Sequence, residues 1–96
     1  MTKSQKAFQA RVRALGCIVC QGEGVDSPCD LHHLLSGGRR IGEDSVIGLC
    51  VPHHRGGLNT AEVVSRHPWR LAWESRYGTE TELLAKTKEL CGGNNV

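Results

Sequence analysis

The feature that most constrains this fold is two pairs of metal-binding residues, Cys17-x-x-Cys20 and Cys50-x-x-His53. Two intervening residues let both ligand atoms of a pair reach one ion from a tight turn, which is the usual spacing in structural zinc sites. Two such pairs supply the four ligands of a tetrahedral site. The sequence therefore predicts a zinc ion that joins two distant segments of the chain.

The length of the chain makes such an ion valuable. The chain has 96 residues, and we expect one domain over residues 1–96. A domain of this size buries a limited core, and a metal, a disulfide or association commonly adds stability. Structural zinc contributes on the order of 10 kcal/mol to the folding of zinc-finger peptides. We therefore expect zinc to support the fold directly.

The cysteines favour metal binding over other uses. There are five, an odd number, and residues 1–13 are polar and basic without the apolar run of a signal peptide. Since no stretch has the length and hydrophobicity of a membrane span either, we expect a cytoplasmic protein with reduced thiols and no membrane association. A thiol redox role for Cys17 and Cys20 is the weakest interpretation, because no βαβ pattern surrounds them.

The first half of the chain predicts a helix followed by a hairpin. Residues 3–14 carry apolar side chains at helical spacing, and Gly16 is suited to end that helix. Residues 29–35 and 44–50 are interpreted as two strands, the second rich in β-branched residues. The glycine-rich segment 36–42 between them is predicted to be a loop.

The second half of the chain predicts helices. We expect a short helix over residues 59–66, a second helix that Pro68 opens and Gly78 ends, and a last helix capped by Thr79 or Thr81. Together with the predicted hairpin, these elements give an α+β fold with flanking N- and C-terminal helices.

One further residue, Cys29, competes for a place in the zinc site. Cys29-x-x-His32 has the same spacing as Cys50-x-x-His53 and is an alternative half-site. We prefer Cys50 and His53, because that choice leaves His32 available for a second centre. Cys91 is interpreted as a small buried hydrophobic residue, and His67 as a structural residue.

Once the zinc ligands are assigned and His67 is set aside as structural, three histidines remain unexplained, His32, His33 and His54. Neighbours in sequence cannot both reach one small ion without strain, so His53 and His54 are predicted to serve two different centres. Imidazole binds divalent metals and is a common general base near neutral pH. The two histidine doublets therefore predict a second, functional site beside the zinc.

Arginines lie next to the histidine doublets although the net charge is only +2. Arg39, Arg40 and Arg55 are candidates for phosphate contacts, because the planar guanidinium group suits bidentate phosphate binding. For any one of them a solvated surface position is the simpler interpretation.

The order of these motifs resembles the HNH (ββα-metal) nuclease family. The resemblance rests on Cys17-x-x-Cys20, the His32-His33 doublet, a Gly-Gly loop and Leu49-Cys50-x-x-His53-His54. In the family pattern a cysteine stands where this chain has His53. The chain is also similar to small prophage-encoded nucleases and, more loosely, to the RecA-dependent Ref nucleases of phages. The resemblance implies a zinc-stapled ββα-metal core over about 17–59 and a helical part over about 60–91.

The resemblance also implies roles for the remaining histidines. His32 and His54 match ligands of a catalytic metal, Mg²⁺ or another divalent ion, and His33 matches the general base. Cys17, Cys20, Cys50 and His53 match the structural zinc site. The central asparagine of the family falls on Ser45, with Asp44 beside it, so these two are the candidates for orienting His33.

The activity implied by the resemblance is metal-dependent hydrolysis of phosphodiester bonds in DNA. The expected source is a phage or prophage, the expected context is recombination or DNA processing, and the expected partners are DNA and a recombinase filament such as RecA. Arg39, Arg40 and Arg55 would then hold flanking phosphates. The alternative is a zinc-stabilised module that binds nucleic acid or protein without catalysis, which the departure at Ser45 leaves open. Oligomeric state and the form of the substrate also stay open.

Overall fold

The computed structural model describes residues 1–92, and these residues form an α+β fold. The helices are α1 (Lys3–Leu15), α2 (Ile18–Gly22), α3 (Val51–His54), α4 (Arg70–Tyr77) and α5 (Glu80–Leu90). The strands are β1 (Asp30–His33), β2 (Leu35–Ser36), β3 (Arg39–Arg40) and β4 (Val46–Leu49). No helix within the described part of the chain combines the length and apolar composition needed to cross a bilayer.

The predicted hairpin is present, and the predicted loop inside it holds a second hairpin. β1 pairs antiparallel with β4, and His32 lies opposite Ile47. β2 pairs antiparallel with β3 across Gly37 and Gly38, whose φ angles are +60° and +79°. A two-residue turn with positive φ at both positions matches the right-handed twist of the strands it joins. The segment predicted as a loop is therefore an ordered extension that carries Arg39 and Arg40.

β4 is buried along its whole length and divides the core into two clusters. Val46 packs with Phe8 and Val12 of α1, whereas Ile47 and Leu49 pack with the zinc-ligand segment, α4 and α5. Successive side chains of a strand point to opposite faces, which explains this division. The core therefore holds both terminal helical segments against one strand.

Gly48 of β4 is required by a close approach of the backbone. A Cβ atom at this position would lie 2.5 Å from the carbonyl oxygen of Gly16 and 2.6 Å from Sγ of Cys29. The glycine thus allows the end of α1 to lie directly against β4.

The predicted helix over residues 59–66 is wrong. This segment is a loop closed by a bridge between Asn59 and Val64. The buried Ser65 hydroxyl donates to the Pro52 carbonyl oxygen at 2.5 Å and accepts from the Leu58 amide at 2.8 Å. These long-range hydrogen bonds satisfy the backbone without a helix and tie the loop to α3.

The C-terminal helices begin and end near the predicted residues. α4 starts two residues after Pro68 and is followed by Gly78. Thr79 caps α5 in a capping box with Glu82, in which each side chain accepts from the backbone amide of the other residue. The first residue of α5 is Glu80, which the capped turn directs toward β1.

Candidate metal centres and active site

The first centre is formed by the two Cys/His pairs, each at the start of a short helix. Cys17 is the N-cap of α2, and its Sγ accepts a hydrogen bond from the Cys20 amide at 3.5 Å. Cys50 is the N-cap of α3, and His53 lies within that helix. Since α2 and α3 both pack near β4, all four side chains converge and are buried.

The spacing of the four ligand atoms fits zinc. Sγ of Cys20 lies 3.7 Å from Sγ of Cys50, and Nδ1 of His53 lies 3.7, 3.5 and 3.0 Å from the sulfurs of Cys17, Cys20 and Cys50. Sulfur and nitrogen ligands of a tetrahedral zinc ion lie about 3.4–3.8 Å apart, given metal–ligand bonds of 2.0–2.3 Å. The donor set and most of these distances therefore suit a structural zinc site.

Burial makes this centre dependent on a cation. Burial raises the pKa of the Cys50 thiol to about 12, and burial likewise raises the pKa of Cys17. Burial lowers the pKa of His53, so its imidazole is neutral near pH 7. The thiols of Cys17 and Cys50 are therefore protonated in the absence of a metal, and a bound metal would displace these protons and favour the thiolates.

The second group consists of His32, His54 and His67, whose ligand atoms lie within 4.8 Å of one another. Nδ1 of His32 and Nε2 of His54 are 3.2 Å apart. Nitrogen ligands about 2.1 Å from one ion lie roughly 3.0–3.4 Å apart, depending on coordination geometry. The group can therefore hold a second metal.

Two carboxylates orient the rings of this second group. Nε2 of His32 forms a hydrogen bond with Glu80, and Nδ1 of His54 lies 3.3 Å from the Asp30 carboxylate. Each carboxylate accepts from the nitrogen that faces away from the group, which leaves the facing nitrogen with a free lone pair. Carboxylate–histidine pairs of this kind orient metal-binding imidazoles.

Glu80 is ionised and anchored by more than one partner. Arg66 donates to its Oε1 at 3.1 Å, and both side chains are largely buried. Burial alone would raise the pKa of Glu80, but its hydrogen bond with His32, together with Arg66, lowers it to about 2. Glu80 therefore presents a fixed negative charge behind His32 at neutral pH.

Asp30 links His54 to Arg55. Nε of Arg55 donates to the same oxygen of Asp30 at 3.0 Å, and this hydrogen bond, followed by the one from His54, lowers the pKa of Asp30. Burial lowers the pKa of His54 despite its acidic partner. His54 is thus neutral near pH 7, which is the form that binds metal.

The structural interpretation of His67 from sequence is incomplete, because the residue lies in the second group. Its amide donates to the His54 carbonyl oxygen at 2.8 Å, and the Arg66 amide donates to the His53 carbonyl oxygen at 2.9 Å. These two hydrogen bonds hold residues 66 and 67, at the end of the loop, against the end of α3. No local pattern marks His67, so only this long-range pairing could have identified it.

His67 is the least constrained member of the group. Its side chain is exposed, and NH1 of Arg66 lies 3.2 Å from its Nδ1. The part of the ring that faces the protein loses solvation, and this desolvation, followed by the charge of Arg66, lowers the pKa of His67. His67 therefore lies on the open side of the group as a neutral ring.

His33 pairs with a residue that the sequence interpretation missed. Its Nε2 lies 3.1 Å from Oε1 of Glu43, and this hydrogen bond lowers the pKa of Glu43. Among residues 1–92 the hydrogen bonds of the His33 ring go to Glu43 and not to Asp44 or Ser45, so the expectation for those two needs correction. The backbone of Ser45 is used in the fold, where its carbonyl accepts from Leu34 and its amide donates to Gly42.

The predicted phosphate-binding arginines lie at two places. Arg39 and Arg40 are exposed on β3 of the second hairpin, and Arg55 follows α3. Arg55 is 60% exposed although it bonds to Asp30, so part of its guanidinium group still faces solvent. All three are accessible to a ligand.

Two cysteines lie outside the metal-binding groups. Cys29 is half-buried, and its Sγ approaches the Val12 carbonyl oxygen at 3.8 Å. The structure therefore does not bring Cys29 into the first centre. Cys91 is buried beside Phe8 and Val46, as expected for a small hydrophobic residue.

Comparison with known proteins gives one family. The family model described as "Recombination enhancement, RecA-dependent nuclease" matches residues 1–92. No curated protein matches the sequence. The family match bears out the looser of the two resemblances, the one to RecA-dependent nucleases.

Proposed function

Because the chain belongs to the recombination-enhancement, RecA-dependent nuclease family, we propose that it is a metal-dependent endonuclease that hydrolyses phosphodiester bonds in DNA. The observation that carries the proposal is the group of His32, His54 and His67, in which carboxylates orient two rings. A structural site alone would not need a second set of oriented imidazoles beside the first.

The order of elements around this group supports an HNH-type site. β1 carries His32 and His33, β4 pairs with β1, and α3 follows directly with His53 and His54. This is the strand–strand–helix order of a ββα-metal core, and Cys17, Cys20, Cys50 and His53 would hold its structural zinc. We propose an HNH-type nuclease of phage or prophage origin on this basis.

The donor chemistry narrows the choice of catalytic metal. Three imidazoles suit Zn²⁺, Ni²⁺ and related transition metals, whereas Mg²⁺ prefers oxygen ligands. Of the expected ions, we therefore favour a transition metal over Mg²⁺. His32, His54 and His67 would hold it and leave positions open for water and a phosphate oxygen.

Each candidate residue has a separate role in the proposed reaction. A divalent ion held by the second group would supply charge stabilisation for the phosphate and the leaving oxygen. His33 accepts the proton of the attacking water as general base. Arg39, Arg40 and Arg55 bind flanking phosphates, which positions the strand without reading its sequence. The family description supports a recombinase filament such as RecA as the partner on DNA.

The test is cleavage of DNA by the purified protein. Supercoiled plasmid and RecA-coated single-stranded DNA paired with a duplex would each be incubated with protein and Mn²⁺, Zn²⁺ or Mg²⁺. We expect nicking with a transition metal, and loss of at least about 100-fold in His33→Ala, since general-base catalysis contributes 10²–10⁴-fold. Glu89→Gln, an exposed substitution on α5, is the control variant, and it should cut DNA as the wild type does.

The opposite outcome is also informative. If wild-type protein binds DNA but cuts neither substrate with any of the metals, the protein is a zinc-stabilised binding module. Equal cutting by wild type and His33→Ala would instead keep the nuclease and remove His33 as its base.

A further inference from the structure

Glu43 and His33 form a hydrogen bond outside the group of His32, His54 and His67. Resting on the proposed function, we propose that Glu43 is the positioning residue of the general base His33, and that Nδ1 of His33 is therefore the atom that takes the proton from water. Glu43 takes this role in place of Asp44 and Ser45, the positions that the family pattern indicates.

The hydrogen bond determines which nitrogen is free. Nε2 of His33 lies 3.1 Å from Oε1 of Glu43, and a carboxylate can only accept. A neutral imidazole carries one N–H, so a ring that donates through Nε2 has its lone pair on Nδ1. The same contact limits rotation of the ring, which is 15% exposed. Glu43 thus selects both the tautomer and the direction of the base.

Glu43 is itself held by the N-terminal helix. Nε2 of Gln9 on α1 donates to the Glu43 carbonyl oxygen at 2.6 Å and lies 3.4 Å from Oε1. Gln9 is buried, so its amide group is confined where it meets the turn before β4. Arg40 lies 3.9 Å from the second oxygen of Glu43. Contacts from α1 and β3 therefore restrict the position of the Glu43 carboxylate, which accepts the hydrogen bond from His33.

The local backbone explains why Glu43 and not its neighbours reaches the ring. Residues 42–45 form a turn in which the Ser45 amide donates to the Gly42 carbonyl oxygen at 3.2 Å. The Ser45 carbonyl oxygen accepts from the Leu34 amide at 2.9 Å and joins the turn to the segment after β1. Within this turn Asp44 is exposed, whereas Glu43 lies beside His33.

The first arm of the test measures the tautomer. Long-range ¹H–¹⁵N correlation spectra at pH 8 of zinc-loaded protein should show the Nε2–H form of His33 in wild type. Glu43→Ala should give mixed tautomers, whereas Glu43→Gln should keep Nε2–H, because its amide oxygen still accepts. An unchanged His33 spectrum in Glu43→Ala would overturn the proposal, as would a change seen in Asp44→Ala and absent from Glu43→Ala.

The second arm measures cleavage. Glu43→Ala should lower kcat on the order of 10- to 100-fold with little change in KM, whereas Glu43→Gln should retain most activity. In His33→Ala the further change Glu43→Ala should have no effect, because residues that act as a unit are not additive. An equal, additive loss in both backgrounds would show a purely structural role and contradict the proposal.

The two arms separate this proposal from the proposed nuclease activity. If wild-type protein cuts no DNA while the His33 tautomer depends on Glu43, the contact stands and the nuclease activity fails. If wild type cuts DNA and the tautomer is independent of Glu43, the nuclease stands and the positioning role fails.

Discussion

His53 and His54 are adjacent residues that face different groups. Nδ1 of His53 lies 3.0 Å from Sγ of Cys50, and Nε2 of His54 lies 3.2 Å from Nδ1 of His32. Successive residues of an α-helix are rotated by about 100°, so one short helix can direct neighbours to two sites. Because of this rotation, the short helix α3 contributes one histidine to each of the two groups.

Glu80 gives the sharpest prediction for a single residue. We expect Glu80→Gln to weaken metal binding at the three-histidine group by roughly 10- to 100-fold, because an amide holds His32 less strongly than a carboxylate does. With zinc in the Cys/His centre, a Co²⁺ titration followed by visible absorption measures the affinity of the second group.

Glu89→Gln serves as the control for Glu80→Gln. It removes the same charge from the same helix at an exposed position, so a general effect of charge would appear in both variants. Equal Co²⁺ affinity in Glu80→Gln and wild type would remove Glu80 from the support of the metal site.

Two elements outside the strand–strand–helix segment complete the candidate site. α5 supplies Glu80 at its capped N-terminus, and α1 supplies Gln9, which holds Glu43. Both helices pack on β4, the strand that pairs with β1. The two helices therefore enclose the core. They also position Glu80, which contacts His32, and Glu43, which contacts His33.

The β2–β3 hairpin is the element for which we predict DNA contact. We expect the double variant Arg39→Ala/Arg40→Ala to weaken DNA binding and to lower the slope of log affinity against log salt by up to about 2, since each phosphate contact contributes roughly 0.9. Fluorescence anisotropy at several KCl concentrations measures this slope.

A matched pair of charges on α1 separates hairpin contacts from net charge. The double variant Lys6→Ala/Arg13→Ala removes two exposed positive charges from this helix. We expect it to leave the salt dependence near that of wild type. A slope that is unchanged in the hairpin variant would place the DNA elsewhere on the surface.

At the scale of the whole molecule, the first centre, which is formed by the two Cys/His pairs, joins the segment before β1 to the segment after β4. Cys17 and Cys20 lie on one side of the strand pair in sequence, and Cys50 and His53 on the other. A bound zinc would close this long loop and add to the stability of a small core.

Removal of zinc should therefore unfold the chain. We expect Cys17→Ala to lose zinc and its cooperative thermal transition, since the metal contributes on the order of 10 kcal/mol in zinc-finger peptides and small domains have little more stability in total. Zinc content and circular dichroism on heating measure both effects.

Cys29→Ala is the control that distinguishes the two possible ligand sets. Because Cys29 lies outside the first centre, this variant should keep its zinc and a melting transition close to that of wild type. Loss of zinc in Cys29→Ala, or a full complement of zinc and a normal melt in Cys17→Ala, would contradict the ligand set.

The local order of the sequence was enough to predict much of this protein. Ligand spacing in Cys17-x-x-Cys20 and Cys50-x-x-His53 grouped four residues that the structure brings together. Helical spacing and capping residues placed α1 and α5, and the looser resemblance of the chain indicated the RecA-dependent nuclease family. These signals lie within a few residues of one another, so the sequence displays them directly.

Only the tertiary structure decided which distant residues meet the histidines. His67, Glu80 and Glu43 reach the site through a loop, a helix start and a turn whose positions depend on packing against α3 and β4. Two other long-range hydrogen bonds, those of the Ser65 hydroxyl, hold residues 59–66 as a loop where a helix was predicted. Contacts of this kind leave no local spacing in the sequence, because their geometry is set by the folded chain.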